Sequence, residues 1–101
     1  MRNATIDYVQ FCAHLNDAVP PAVEPEVAAL WWVRRGDWDK AHQIVQDIDT
    51  VAAARVHAHL HRVEGDLDNA AYWYKRANQR VCEQGVAEEW ESLLRSLLPT
   101  S

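Results

Sequence analysis

A six-residue turn occurs twice in this chain, 29 residues apart: Gly36-Asp37-Trp38-Asp39-Lys40-Ala41 and Gly65-Asp66-Leu67-Asp68-Asn69-Ala70. Glycine ends a helix by taking the left-handed conformation that other residues resist, and an aspartate just after it caps the next helix by accepting its orphan N–H groups. Each copy is therefore a joint between two helices, and two copies at one spacing predict stacked hairpins. The expected fold is all-α, with about six helices in antiparallel hairpins forming a single domain over residues 1–101.

Thr5 is placed to cap a first helix over 6–17, on which Tyr8, Val9, Cys12, Ala13 and Leu15 recur at helical spacing. The segment Val19-Pro20-Pro21-Ala22-Val23-Glu24-Pro25 then breaks the pattern, and Pro25 suits the first turn of a new helix. Residues 1–24 thus read as an N-terminal helix and linker. The first repeat, 25–49, holds a helix from Pro25 to Arg35 and a partner capped by Asp37 that carries Ala41, Ile44, Val45 and Ile48. The second, 50–83, holds a helix from Val51 to Glu64 capped by Thr50, and a partner running through Ala70, Trp73, Tyr74 and Ala77 towards Cys82. After Gly85 a capping helix within 84–101 carries Val86, Trp90, Leu93 and Leu97 on one stripe, with Leu94 and Leu98 beside it. Short connections predict helices stacked in sequence order. A repeat cannot bury its own apolar face, so with two repeats the outer helices serve as caps and, where these do not suffice, a homodimer would cover what remains.

The joints resemble those of the tetratricopeptide repeat, whose two helices meet at a Gly-Asp-x-x-x-Ala turn with small residues at their closest approach. Around Gly36 the corresponding positions are Ala29, Trp32 and Ala41; around Gly65 they are Ala58, His61 and Ala70, with Tyr74 at the later aromatic site. The resemblance implies a right-handed array of two degenerate repeats. The period here is 29 against about 34 in that family; Pro25 and Ala54 stand at its early Trp position, and no proline ends either unit. Superhelical pitch and the concave peptide groove are therefore not implied. Over residues 28–98 the chain is also similar to small bacterial tetratricopeptide-like proteins of unassigned activity. That likeness is carried by His57-Ala58-His59-Leu60-His61-Arg62-Val63-Glu64-Gly65-Asp66, by Asn69-Ala70-Ala71-Tyr72-Trp73-Tyr74-Lys75-Arg76-Ala77 and by Trp38-Asp39-Lys40-Ala41-His42. It implies a fold and no reaction.

Net charge of −5 without any Lys/Arg block argues against nucleic acid or an anionic membrane as a partner. The first residues contain no signal-peptide run and no later segment approaches a membrane span, so the expected location is the cytoplasm. Cys12 and Cys82 match no Cys-x-x-Cys pattern and are expected as free thiols. No Ser-His-Asp or Cys-His arrangement and no Gly-rich phosphate loop is present. Catalysis is not required by any motif, and no cofactor is expected.

His57 and His61 lie four apart and share a helix face with Glu64, giving three candidate metal ligands within two turns. They lack the His-Glu-x-x-His pattern of a metalloprotease, and packing against aromatics is the simpler role. His59 is expected to face away from this pair, towards solvent. His42 follows Ala41 on the helix facing them; whether the three imidazoles converge is left open by spacing alone. Arg62, Glu64, Asn69 and Tyr72 gather at the second joint, where a polar network would lock the hairpin. Asp37, Asp39, Asp66 and Asp68 sit in first turns, where carboxylates favour the helix dipole. Trp31-Trp32 and Tyr72-Trp73-Tyr74 are too consecutive for every ring to point inward. The expected function is a tetratricopeptide-like interaction or self-association module that binds a protein, a peptide or its own copy. Its surface would use Trp31, Trp32, Trp38, Tyr72 and Trp73, with polar contacts from His42, His57, His61 and Arg62. The alternative is a small-ligand or metal pocket, hydrolytic chemistry included, in which His42, His57, His61 and Glu64 converge beneath aromatic walls.

Overall fold

The two copies of the turn adopt the same backbone, hydrogen bond for hydrogen bond. In the computed structural model, which describes residues 6–99, Gly36 and Gly65 have φ of +84° and +86°. The N–H of Asp37 reaches the Trp32 carbonyl at 2.9 Å and that of Asp66 reaches His61 at 2.8 Å, while each glycine N–H closes a 3.0 Å bond to Val33 or Arg62. This is the Schellman closure of a helix. The next helix starts at once: Asp37 accepts from the Lys40 N–H at 3.1 Å and Asp66 from the Asn69 N–H at 3.2 Å. The joints link α2 (Pro25–Arg34) to α3 (Trp38–Val45) and α4 (Val51–Val63) to α5 (Leu67–Arg76), flanked by α1 (Tyr8–Ala13) and α6 (Val86–Leu97). The fold is all-α, with no strand among the described residues. None of these helices is long and apolar enough to cross a membrane.

Ala29, Ala41, Ala58 and Ala70 are all at most 1% exposed, so the small positions on either side of each joint are where the helices pack most tightly. The main core runs from Phe11 through Leu30, Trp31, Val56 and Leu60 to Trp90, Leu93 and Leu94. Three indoles fasten separate elements by donating to main-chain carbonyls: Trp31 to His14 at 3.0 Å, Trp38 to Leu60 at 2.7 Å and Trp90 to Leu30 at 2.8 Å. Cys12 and Cys82 are both free.

Three expectations are corrected. The first helix is only Tyr8–Ala13, capped by a reciprocal pair between Asp7 and Gln10; Thr5 lies outside the described residues. The helix expected to run towards Cys82 stops at Arg76, because Asn78 takes a left-handed φ of 58° and Gln79 N–H bonds the Tyr74 carbonyl at 2.9 Å. That is a third Schellman closure, with asparagine in the glycine position. The stack also does not continue in sequence order. The last helix, α6, folds back mainly onto α4 and α2 instead of covering α5.

Alanine at Gly36 or Gly65 should cost about 1–2 kcal/mol each, the penalty for a Cβ in the left-handed region. No atom lies within 4 Å of either added Cβ, so backbone strain alone sets the loss. Urea denaturation of the two single variants should give similar values.

Candidate functional site

The central helix α4 is buried on two sides and carries polar residues on both. His57 and His61, at i and i+4, face α3 and α5, whereas His59 and Arg62 face α6. On the first side the His42 and His57 Nε2 atoms are 3.0 Å apart. Ring centres are separated by 4.6 Å for His42 and His57, 5.0 Å for His57 and His61, and 5.6 Å for His42 and His61. One nitrogen from each of the three histidines lies within 4.8 Å of the other two. The three imidazoles therefore converge, a point that spacing alone left open.

Flat indoles hold the rings in place. Trp38 stacks on His42 at 4.8 Å and Trp73 on His57 at 3.9 Å, both nearly parallel. His61 Nδ1 meets the Glu64 carboxylate at 2.6 Å, which holds this ring from its outer side. Burial, and then the neighbouring His42 and His61, push the His57 pKa down to about 4. His42 is lowered by burial and by His61, partly opposed by Glu64 and Asp39. Both rings are thus neutral at pH 7, each with one lone-pair nitrogen and one N–H. One of the facing Nε2 atoms donates and the other accepts, while His57 Nδ1 is buried without a protein partner. Trp73 also walls a cleft of about 390 Å³ completed by Gln46–Val51, Ala54 and Arg76.

The opposite side of α4 holds a network built on Glu89 of α6. His59, expected at the surface, is fully buried, with Nδ1 2.8 Å from Glu89, because α6 covers the side that a single hairpin would leave open. Arg62 donates to the same carboxylate at 2.9 Å and to the Gln84 carbonyl at 2.6 Å, and the Tyr74 hydroxyl donates to the second carboxylate oxygen. Burial opposes the charge on Glu89, but hydrogen bonds from His59, Tyr74 and Arg62 outweigh it and hold its pKa down to about 2. Burial and the Glu89 partner raise the Tyr74 pKa. The network expected among Arg62, Glu64, Asn69 and Tyr72 does not form: Glu64 pairs with His61, Asn69 with Asp66, and the Tyr72 hydroxyl accepts from Arg76. Sequence reasoning missed Glu89 and Tyr74 as partners. One signal for Glu89 was available, since it lies three residues after Val86 and four before Leu93, on the apolar stripe of its helix.

The aromatic residues divide sharply. Trp31 is fully buried and so is no part of any surface; its indole N–H is taken by His14. Trp38 and Trp73 are half-buried and committed to Leu60 and His57. Trp32 is half-buried, edge-on to Trp31, with the Lys40 ammonium 5.3 Å from its ring centre. Tyr72 alone in this set is well exposed, at 51%. Comparison with protein-family models, with curated proteins and with solved structures finds no match to this chain.

Glu89→Gln keeps the side-chain shape but leaves Arg62 without its counter-charge, at an expected cost of about 3 kcal/mol at neutral pH. Folding lowers this carboxyl's pKa from 4.5 to about 2, so its stabilisation is complete above pH 4.5 and is lost as pH falls through that interval. Urea titrations between those pH values should show an acid-dependent loss in the native chain that the variant lacks. Equal pH dependence in both would remove Glu89 as its source.

Proposed function

We propose that the chain is a tetratricopeptide-like interaction module whose binding face is the outer side of α5 and whose first partner is a second copy of itself. The carrying observation is an asymmetry between equivalent positions. Trp38 opens α3 and is covered by α4, whereas Leu67, 29 residues later at the start of α5, is 65% exposed. The side that α3 offers to the next helix is, on α5, left largely exposed among the described residues, because α6 has turned back onto α2 and α4.

Leu67, Ala71 and Tyr72 form the apolar part of this face, with Asp68 and Lys75 two turns apart on the same exposed stripe. Two α5 helices paired antiparallel about a two-fold axis between Ala71 and Tyr72 would oppose Asp68 of one copy to Lys75 of the other, twice. Isologous contacts close in this way without forming filaments. Beside the face, Ala71, Tyr74 and Lys75 with Asn78–Val81 enclose a groove of about 350 Å³ that can receive side chains from the facing helix. A single helix pair buries less than the roughly 1,000 Å² typical of stable complexes, so the association is reversible. No catalysis is required by this reading.

Light scattering and sedimentation across the micromolar to millimolar range should show mass rising towards that of a dimer. Leu67→Glu should keep the helical circular dichroism and remain monomeric. Asp68→Lys should weaken association, and adding Lys75→Asp to it should restore it. A native chain that stays monomeric throughout that range would defeat self-association through α5.

A further inference from the structure

We propose that His42, His57 and His61 bind one divalent transition-metal ion of the zinc class, in a three-imidazole site that bridges the two hairpins. Zinc bonds to imidazole nitrogen at about 2.0–2.1 Å in tetrahedral geometry, which places ligand nitrogens about 3.3 Å apart. The His42 and His57 Nε2 atoms stand at 3.0 Å, and a nitrogen of His61 completes a triangle whose sides are all within 4.8 Å. The longer sides exceed that spacing by at most about 1.5 Å, a gap that turning the imidazole rings towards one ion would close.

The surroundings match what such a site needs around its ligands. Metal-bound histidines characteristically place their other nitrogen on a carboxylate or carbonyl, which sets the tautomer and ring orientation. Glu64 does this for His61 at 2.6 Å. Trp38 and Trp73, stacked on His42 and His57, fix two ring planes. His57 and His61 sit one turn apart on a helix packed on several sides, so the donors are held before the ion arrives. Asp66, whose carboxylate groups with His61 and Glu64 within 4.8 Å, and Asp39 near His42 offset the charge of the ion.

A hydrogen-bonded packing cluster is the competing explanation, and it leaves part of this arrangement without a cause. With no cation, a single hydrogen bond joins His42 to His57, and among the described residues none joins His61 to either ring. Three protein donors leave the fourth position of the ion for water or a small anion on the half-buried His42 side. Because His42 belongs to the first hairpin and the other two ligands to the second, the ion also ties the hairpins together.

The test uses the full chain without a histidine tag, purified in the absence of chelators. Calorimetric titration with zinc chloride should give one ion per chain, and cobalt(II) should give the intense visible absorption of a low-coordinate nitrogen site. His42→Ala, His57→Ala and His61→Ala should each weaken zinc binding by at least about 100-fold, and Glu64→Gln by about 10-fold, the scale of losing a group that orients a ligand. His14→Ala, at an exposed histidine paired with Asp17, should change nothing. If His57→Ala does not fold, His42→Ala on the half-buried α3 side and the histidine nitrogen NMR shifts of the native chain on zinc addition give the same answer. Absence of stoichiometric zinc binding, or binding that survives His42→Ala and leaves the His42, His57 and His61 signals unmoved, overturns the proposal.

Discussion

Gly36 and Gly65 hold the backbone left-handed, and nearly every longer-range contact depends on that constraint. Each closes one helix onto its own carbonyls and hands the chain to an aspartate that caps the next helix within a single residue. So short a connection leaves the two helices no alternative to lying against each other, with alanines at the crossing. The pairs α2 with α3 and α4 with α5 are therefore set locally, and the remaining architecture concerns how the pairs meet.

They meet at α4, where helix periodicity separates two kinds of chemistry. Residues 57 and 61 point to one side and residues 59 and 62 to another, so a single turn-and-a-half of helix supplies three imidazoles and a guanidinium to two unrelated environments. On the α6 side a buried carboxylate accepts from an arginine, a histidine and a tyrosine, an arrangement that stabilises its charge, while His59 Nε2 has no protein partner. On the α3 and α5 side the Glu64 carboxylate bonds His61, and His57 is neutral because burial and neighbouring imidazoles oppose its protonation. The first is a latch for α6. The second is a set of donors facing one another between two indoles.

The joints and the six helices were legible in the sequence, because each depends on residues a few positions apart; the approach of His42 to His57 and His61 was not, because it depends on how the two hairpins pack. His59 was misplaced for an equally physical reason: a residue pointing away from the buried side of one hairpin is outward only when nothing covers the other side. Trp31 and Trp32 show the same limit. Helix spacing establishes that adjacent rings diverge, but which one is buried depends on α1 and its His14 carbonyl, seventeen residues away. Asn78 escaped notice because asparagine enters the left-handed region less often than glycine and so marks a helix end less plainly.

By itself the sequence determined the local geometry: where helices start and stop, which faces are apolar and which residues share a face. Capping and left-handed closure are contacts over three to five residues, and their residue requirements are strict enough to read directly. Only the tertiary structure decided that α6 returns to α2 and α4 and leaves the outer side of α5 uncovered. That choice rests on Glu89 meeting His59 across 30 residues and Trp90 meeting the Leu30 carbonyl across 60, and no spacing rule encodes which of several apolar faces a mobile amphipathic helix will cover.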